Sequence, residues 1–286
     1  MQQVLTPKQV ARAIGVSESS LKRWCDRGVI QTERTAGGHR RLKLGDVLIF
    51  LRKSDLQLVR PEVLGLPPGT GVRPRVVDRS ETQLVDALLA SDVECSRRLV
   101  FDLFINGADV ITLCDEIFMP AMYQIGEQWD CGEIEIYQER RACEIIGQLV
   151  YELQSVLPAV DVEAPLAMGG TPVGDNYRLP TQMLELVFTS FGWRATSLGS
   201  GLPFETMLAA VQEYQPSLFW LSVSHVQSQP DFRADFGSFC RKVPPTTRIV
   251  VGGRAIARDF LEDMESVEFC DNLRDLQRLA EKSQAS

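Results

Sequence analysis

The order of apolar and polar positions divides the chain into three regimes. Between residues 80 and 156 apolar side chains recur at helical spacing. Leu99, Val100, Leu103 and Phe104 follow Asp92, a natural N-cap, and Gly107 closes that stretch. Val110, Ile111, Leu113, Ile117 and Phe118 fall between Ala108 and about Trp129, and Ile145, Ile146, Leu149, Val150 and Leu153 between Ile136 and Leu157. The spacing predicts a small helical bundle. From residue 165 the period changes. Short apolar runs (Pro165–Met168, Arg194–Leu198, Leu218–Val223, Ile249–Val251, Val267–Cys270) alternate with amphipathic stretches. These lie near Thr181–Phe191, Phe204–Tyr214, Asp231–Cys240, Ala255–Met264 and Leu273–Glu281. Alternating strand and helix predicts an α/β, doubly wound parallel sheet. Ligands on such sheets bind at the carboxyl ends of the strands. Those ends carry Gly169-Gly170-Thr171, Gly199-Ser200-Gly201, Ser224-His225 and Gly252-Gly253.

The first residues read as helix, tight turn, helix. Thr6 caps the first helix with Pro7 in its first position, and Val10, Ala11 and Ile14 form its inner face. Gly15 gives the turn and Ser17 caps a second helix. Leu21 and Trp24 of that helix face inward, leaving Ser19, Ser20, Lys22 and Arg23 outward, and Gly28 ends it. Thr32 to Leu42 reads as a two-stranded wing turning at Gly37-Gly38, with His39, Arg40 and Arg41 just beyond. Leu44, Val47, Leu48 and Leu51 mark one more helix. Residues 58–79 are rich in Pro and Gly and read as a linker. A weaker break lies at Leu157–Pro165. The expected division is therefore a head at 1–57, a linker at 58–79, a helical bundle at 80–157 and an α/β domain at 165–286.

Charge sharpens this division. The 286 residues carry a formal net charge of −8, which by itself argues against nucleic acid. Residues 1–60, however, hold twelve Lys and Arg against five Asp and Glu, a net of +7, and the remainder carries −15. A basic head on an acidic body suits a DNA-binding segment joined to another module. Hydrophobic content of 44% and charged content of 24% exclude a disordered chain. No run of about 18 apolar residues is present, so no membrane partner is expected. The N-terminus lacks the basic and apolar pattern of a secretory signal, and a cytoplasmic, nucleoid-associated bacterial protein is expected. The seven cysteines are widely spaced with no C-x-x-C, which argues for reduced thiols over disulfides or a zinc ribbon.

The head, through the capped helix pair and Gly38-His39-Arg40-Arg41-Leu42, resembles the winged helix-turn-helix of MerR-type regulators, with His39 where that family has a wing tyrosine. The resemblance implies DNA contacts by Ser19, Ser20, Lys22, Arg23, His39, Arg40 and Arg41. Which of the cations reads a base is left open.

The other two regions carry a second resemblance. Trp129, nine residues, then Glu139-Arg140 resembles the tryptophan and Glu-His that cap cobalamin in the helical bundle of cobalamin-binding proteins. The α/β region resembles the cobalamin-binding domain itself, which carries Asp/Glu-x-His-x-x-Gly after its first strand. Here Asp175 matches the acid, Tyr177 stands where the cobalt-ligating histidine would be, and Pro180 replaces the glycine. Ser222 and the Gly252-Gly253 pair match later elements of the site. The resemblance implies a cofactor site of Trp129, Glu139, Arg140, Asp175, Tyr177, Ser222, Gly252 and Gly253. His225, near the third strand's end, is a candidate substitute metal ligand, the alternative being an ordinary hydrogen-bonded histidine. A neutral phenol is a poor cobalt donor, so cobalamin with its own base attached, haem, or no cofactor remain the alternatives.

Over nearly the whole chain the order of parts is similar to the light-responsive, cobalamin-dependent MerR-type repressors of carotenoid genes. That resemblance implies a transcriptional regulator and not an enzyme, a repressor binding a double-stranded DNA operator as a homodimer or higher oligomer. Sensing would be independent of cobalamin or altered, with an antirepressor protein as a further partner. The rival class is a corrinoid-dependent methyltransferase or mutase component.

Overall fold

A computed structural model describes residues 3–54, 56–71, 80–261, 264 and 267–284. The chain forms two compact units, Met1–Pro158 and Ala159–Ser286.

The first unit opens with a three-stranded antiparallel sheet in the order β1 (Val4–Leu5), β3 (Arg40–Lys43), β2 (Glu33–Arg34). Helices α1 (Pro7–Ile14) and α2 (Glu18–Asp26) lie between β1 and β2, and α3 (Leu44–Arg52) follows β3. The local signals are met closely. Thr6 Oγ1 accepts the N–H of Gln9, whose side chain returns to the Thr6 N–H, a complete capping box. Gly15 ends α1 in the left-handed region, and Ser17 caps α2 through the Ser20 N–H. Val10, Ala13, Leu21, Leu42, Val47 and Leu48 are fully buried and form the core under the sheet. Trp24 is half-buried against Phe50, ring centroids 5.5 Å apart.

The stretch expected as a linker at 58–79 is corrected over its described part. Residues 58–71 fold onto the head: the N–H groups of Val59 and Arg60 both donate to the Ala13 carbonyl, and Pro61–Leu64 closes a 3-10 turn. Leu58, Leu64 and Leu66 are buried. The prolines set the turns, but these leucines supply apolar area that outweighs the polar signal of Pro and Gly. Residues 72–79 lie outside the described residues.

The bundle comprises α4 (Ser80–Leu89), α5 (Val93–Ile105), α6 (Val110–Thr112), α7 (Met119–Asp130) and α8 (Ile136–Val156). Asp92 and Asp109 cap α5 and α6. A π-helical stretch, Leu113–Phe118, joins α6 to α7 just before Pro120. Proline lacks an N–H and crowds the carbonyl four residues back, and the wider π turn relieves that crowding. Arg97 of α5 pairs with Glu152 of α8 at 2.5 Å. Head and bundle belong to one unit because α3 packs on α5 and α8. A Cβ at Gly45 would stand 2.1 Å from the Val156 carbonyl oxygen, so only glycine permits this approach.

The second unit is a five-stranded parallel sheet in the order β5 (Arg194–Ser197), β4 (Leu166–Gly170), β6 (Leu218–Ser222), β7 (Arg248–Gly252), β8 (Val267–Phe269). Helices α9 (Arg178–Ser190), α10 (Phe204–Tyr214), α11 (Gln229–Lys242) and α12 (Leu273–Gln284) connect or follow the strands. Central β6 is buried throughout. Phe219 and Leu221 join Met207, Val211, Phe236 and Phe239 in one core cluster. Trp220 alternates to the other face, stacks on Phe188 of α9 at 5.3 Å and donates its Nε1–H to Thr181 Oγ1 at 2.9 Å.

The helix expected near Ala255–Met264 is not found. Among the described residues of that stretch only Arg258–Leu261 forms a 3-10 turn. The Ala255 N–H is taken by the Val223 carbonyl and Ile256 turns into the core, so the chain is held to the sheet.

Candidate functional site

In the head, Ser19, Lys22 and Arg23 are exposed on the first two turns of α2, and Ser20 is half-buried. Ser17 Oγ lies 2.9 Å from both the Ser19 and Ser20 hydroxyls, and Arg23 Nη2 donates to Ser20 Oγ at 3.4 Å. The N-terminal turn of α2 is thus a polar surface ending in a guanidinium, suited to a major groove. Lys22 is paired with Glu18 one turn back at 2.7 Å. The bond holds the Glu18 carboxyl below the usual range, its hydrogen bond to Lys22 being the larger cause.

The wing turns through Thr35–Gly38, where the Gly38 N–H donates to the Thr35 carbonyl and the Thr35 N–H to the His39 carbonyl. Glu33 faces Arg41 and Arg34 faces Arg40 across β2 and β3. Arg40 forms an ion pair with Asp26, the last residue of α2. Lys43 pairs with Glu33 at 2.6 Å, which raises the lysine's pKa. Asp26 is a residue that the sequence reading missed. Its position at the negative end of a helix, where a carboxylate is disfavoured unless paired, is the signal that would have found it.

In the bundle, Trp129 lies in the last turn of α7 and Glu139 in the first turns of α8, so the short connection through Gly132 brings them to the same end. Trp129 is 39% exposed and Glu139 7%. Cys143 Sγ donates to Glu139 Oε1 at 3.3 Å, and Arg140 Nε lies 3.4 Å from Glu139 Oε2. Burial first, and the Glu139 carboxylate second, push the Cys143 thiol up to about 12.

In the α/β unit, Asp175 is fully buried and its carboxylate ties two loops together. Oδ1 accepts the Tyr177 N–H at 3.0 Å. Oδ2 accepts the Ser224 N–H at 2.5 Å and the His225 N–H at 3.2 Å. Thr171 Oγ1 donates to the Asp175 carbonyl and accepts the Gly201 N–H, drawing in the loop after β5. Tyr177 is the N-cap residue of α9, without a side-chain cap bond, and its ring lies 5.2 Å from the Arg254 guanidinium carbon. Arg254 Nε donates to the Ser224 carbonyl. Gly252-Gly253 positions that arginine: a Cβ at Gly253 would stand 2.3 Å from the Val223 carbonyl oxygen. Ser222 is buried at the end of β6 and His225 is exposed. Asp175, Tyr177, Ser224, His225 and Arg254 therefore form one closed network. Arg254 was missed by the sequence reading although it directly follows the Gly-Gly pair. Among the described residues no group of three or more His, Cys, Asp or Glu side chains could hold a metal.

Comparison with known proteins places names on these parts. The helix-turn-helix domain family model matches residues 4–55, and the B12 binding domain family model matches residues 80–154. The chain is similar to the HTH-type transcriptional repressor CarH of Myxococcus xanthus, 25% identical over 268 residues, covering 86% of this chain and 87% of that one. In fold it is similar to the Methanosarcina barkeri monomethylamine corrinoid protein, with a TM-score of 0.59 at 16% identity over 72% of this chain and 98% of that one. A further match is the methanol:cobalamin methyltransferase complex MtaBC of Methanosarcina barkeri, with a TM-score of 0.41 at 17% identity over 80% of this chain and 90% of that one. The chain thus joins a helix-turn-helix head to a helical B12-binding-type domain and a five-stranded parallel sheet. No described helix is long and apolar enough to cross a membrane.

Proposed function

We propose that this chain is a DNA-binding transcriptional regulator, acting as a repressor, and not an enzyme. The observation that carries the reading is the basic head, where a doubly capped helix pair presents Ser19 and Arg23 beside a wing bearing His39 and Arg41. The likeness to a repressor along most of both chains supports the same reading. The fold likeness to a corrinoid protein is a likeness of scaffold alone. Ser19, Ser20, Lys22, Arg23 and His39, with the wing strand that carries Arg40 and Arg41, make up the DNA-binding face. A homodimer or larger oligomer on a near-palindromic site, an antirepressor partner and a cytoplasmic setting complete the reading. Mobility shift of DNA from upstream of the chain's own gene tests it. A retarded band that withstands competitor DNA is the expected result, and no shift at low salt overturns it.

The sensor module works without a cobalt-ligating imidazole in the loop after β4. What supports this is the Asp175 network. The acid that would orient a histidine spends both oxygens on three backbone N–H groups, and Tyr177 lies against Arg254. Helix α9 begins at once after Tyr177, and its buried Thr181 is bonded to Trp220 of β6. These residues do not fit a corrin held through a protein histidine at this loop, and no step of the function is routed through one. Trp129, Glu139 and Arg140 in the bundle, with Ser222, Gly252 and Gly253 in the α/β unit, keep the positions of the cofactor site that the resemblance implies, and no metal is assigned to His225, which is exposed. Titration with hydroxocobalamin checks this. The spectrum of the corrin is expected to stay that of the free cofactor after gel filtration.

A further inference from the structure

The DNA-binding reading leaves the cations of the head undivided, and the geometry divides them. On β3 successive side chains point to opposite faces. Leu42 is fully buried, so its face of β3 looks into the head, and Arg40, two residues away, shares that face. Arg41 and Lys43 occupy the other. The Arg40 side chain is accordingly 23% exposed, and its guanidinium meets the Asp26 carboxylate at the surface, where the Asp26 side chain is 54% exposed. Asp26 closes α2 at its negative end, where the helix carbonyls add to the attraction for a cation. Arg40 is thus drawn to the end of α2 away from Ser19 and Ser20, the end that approaches base edges. Arg41 donates to the Arg40 carbonyl at 3.0 Å and forms no ion pair with a carboxylate among the described residues.

We propose that Arg40 is a positioning residue that pins the wing to the recognition helix through Asp26, and that Arg41 and Arg23 carry the phosphate contacts. The inference rests on the DNA-binding reading. Its sign test is Asp26. If Arg40 were a phosphate contact for which Asp26 competes, removing Asp26 would free a cation and tighten DNA binding. If the pair holds the wing in place, removing Asp26 weakens binding although a negative charge has been lost.

The experiment uses the full chain and a fluorescein-labelled duplex of mixed sequence, with binding followed by anisotropy over a series of potassium chloride concentrations. Arg41→Ala is expected to lower the log–log salt slope by about 0.9, the loss of one phosphate contact. Arg40→Ala and Asp26→Ala are each expected to weaken binding by about two- to fivefold with the slope unchanged. The double variant is expected to be no weaker than either single one. The exchanged pair, Arg40→Asp with Asp26→Arg, is expected to recover most of the loss, which also separates positioning from misfolding. A slope lowered by about 0.9 in Arg40→Ala, together with tighter binding by Asp26→Ala, overturns the proposal while leaving the DNA-binding reading intact. Absence of binding by the unaltered chain at low salt overturns that reading and the proposal with it.

Discussion

Arg52, the last residue of α3, sets its guanidinium carbon 4.5 Å from the Phe104 ring centroid and donates to the carbonyl of the same residue at 2.6 Å. Its remaining bonds go to the Ala108 carbonyl at 2.8 Å and the Gly107 carbonyl at 3.1 Å. One side chain of the head therefore caps the C-terminal end of α5, where backbone carbonyls lack helical partners. Burial lowers the pKa of Arg52, and Asp109 opposes that shift.

Arg52→Ala is expected to cost about 2–3 kcal/mol, because charge-assisted bonds are lost and partly buried carbonyls are left without a donor. Urea denaturation of the full chain measures the loss. Hydrogen exchange of the last turn of α5 is expected to rise in the same variant. Arg52→Lys cannot reproduce the planar fork and is expected to recover less than half. A loss under about 0.5 kcal/mol would mean that α3 is held by packing alone.

Asp175→Ala strips the acceptor from the N–H groups of Tyr177, Ser224 and His225. Each orphaned donor costs on the order of 1–3 kcal/mol, so a large fall in the melting temperature of the α/β unit is expected. Asp175→Asn keeps one acceptor oxygen and is expected to fall between the two. Calorimetry on the full chain resolves these changes.

Thr181→Val keeps the volume of the side chain but leaves the buried Trp220 Nε1–H without its acceptor. The expected loss is roughly 1–3 kcal/mol by urea denaturation. Equal stability would mean that the stack of Trp220 on Phe188 carries the contact alone.

Burial pushes the thiols of Cys143, Cys240 and Cys270 up to about 12. A thiol whose folded pKa lies above its unfolded value favours folding while it stays protonated. As pH rises past about 9 the unfolded chain ionises first, so stability falls until the folded thiols titrate near 12. The urea midpoint is expected to drop steadily across that window. At pH 8 the exposed Cys131 is expected to react first with Ellman's reagent, and Cys131→Ser to remove that fast phase.

Much of the fold was legible because its signals are local. Thr6 with Gln9, Ser17, Asp92 and the Gly37-Gly38 turn each mark an element boundary within a few residues, and the change of period at residue 165 marks the sheet. The residues that escaped reading act across distance. Arg52 meets carbonyls 52 to 56 residues away, and Arg40 meets Asp26 across the turn between helix and wing. Leu58, Leu64 and Leu66 were hidden among prolines, and the Ala255 stretch had helical spacing but loses its N–H to Val223. Asp175 and Tyr177 were singled out by resemblance. That the Asp175 carboxylate is spent on backbone N–H groups, and that Arg254 covers Tyr177, required coordinates.

In the proposed function a DNA-binding head is joined to a B12-type module that works without a ligating histidine in the loop after β4. Anisotropy of labelled DNA from upstream of the chain's own gene tests it most directly, read with no corrin, with adenosylcobalamin in the dark and with adenosylcobalamin after illumination. Tight binding that is the same in all three conditions is the predicted result. Binding that requires adenosylcobalamin and is abolished by light would contradict it.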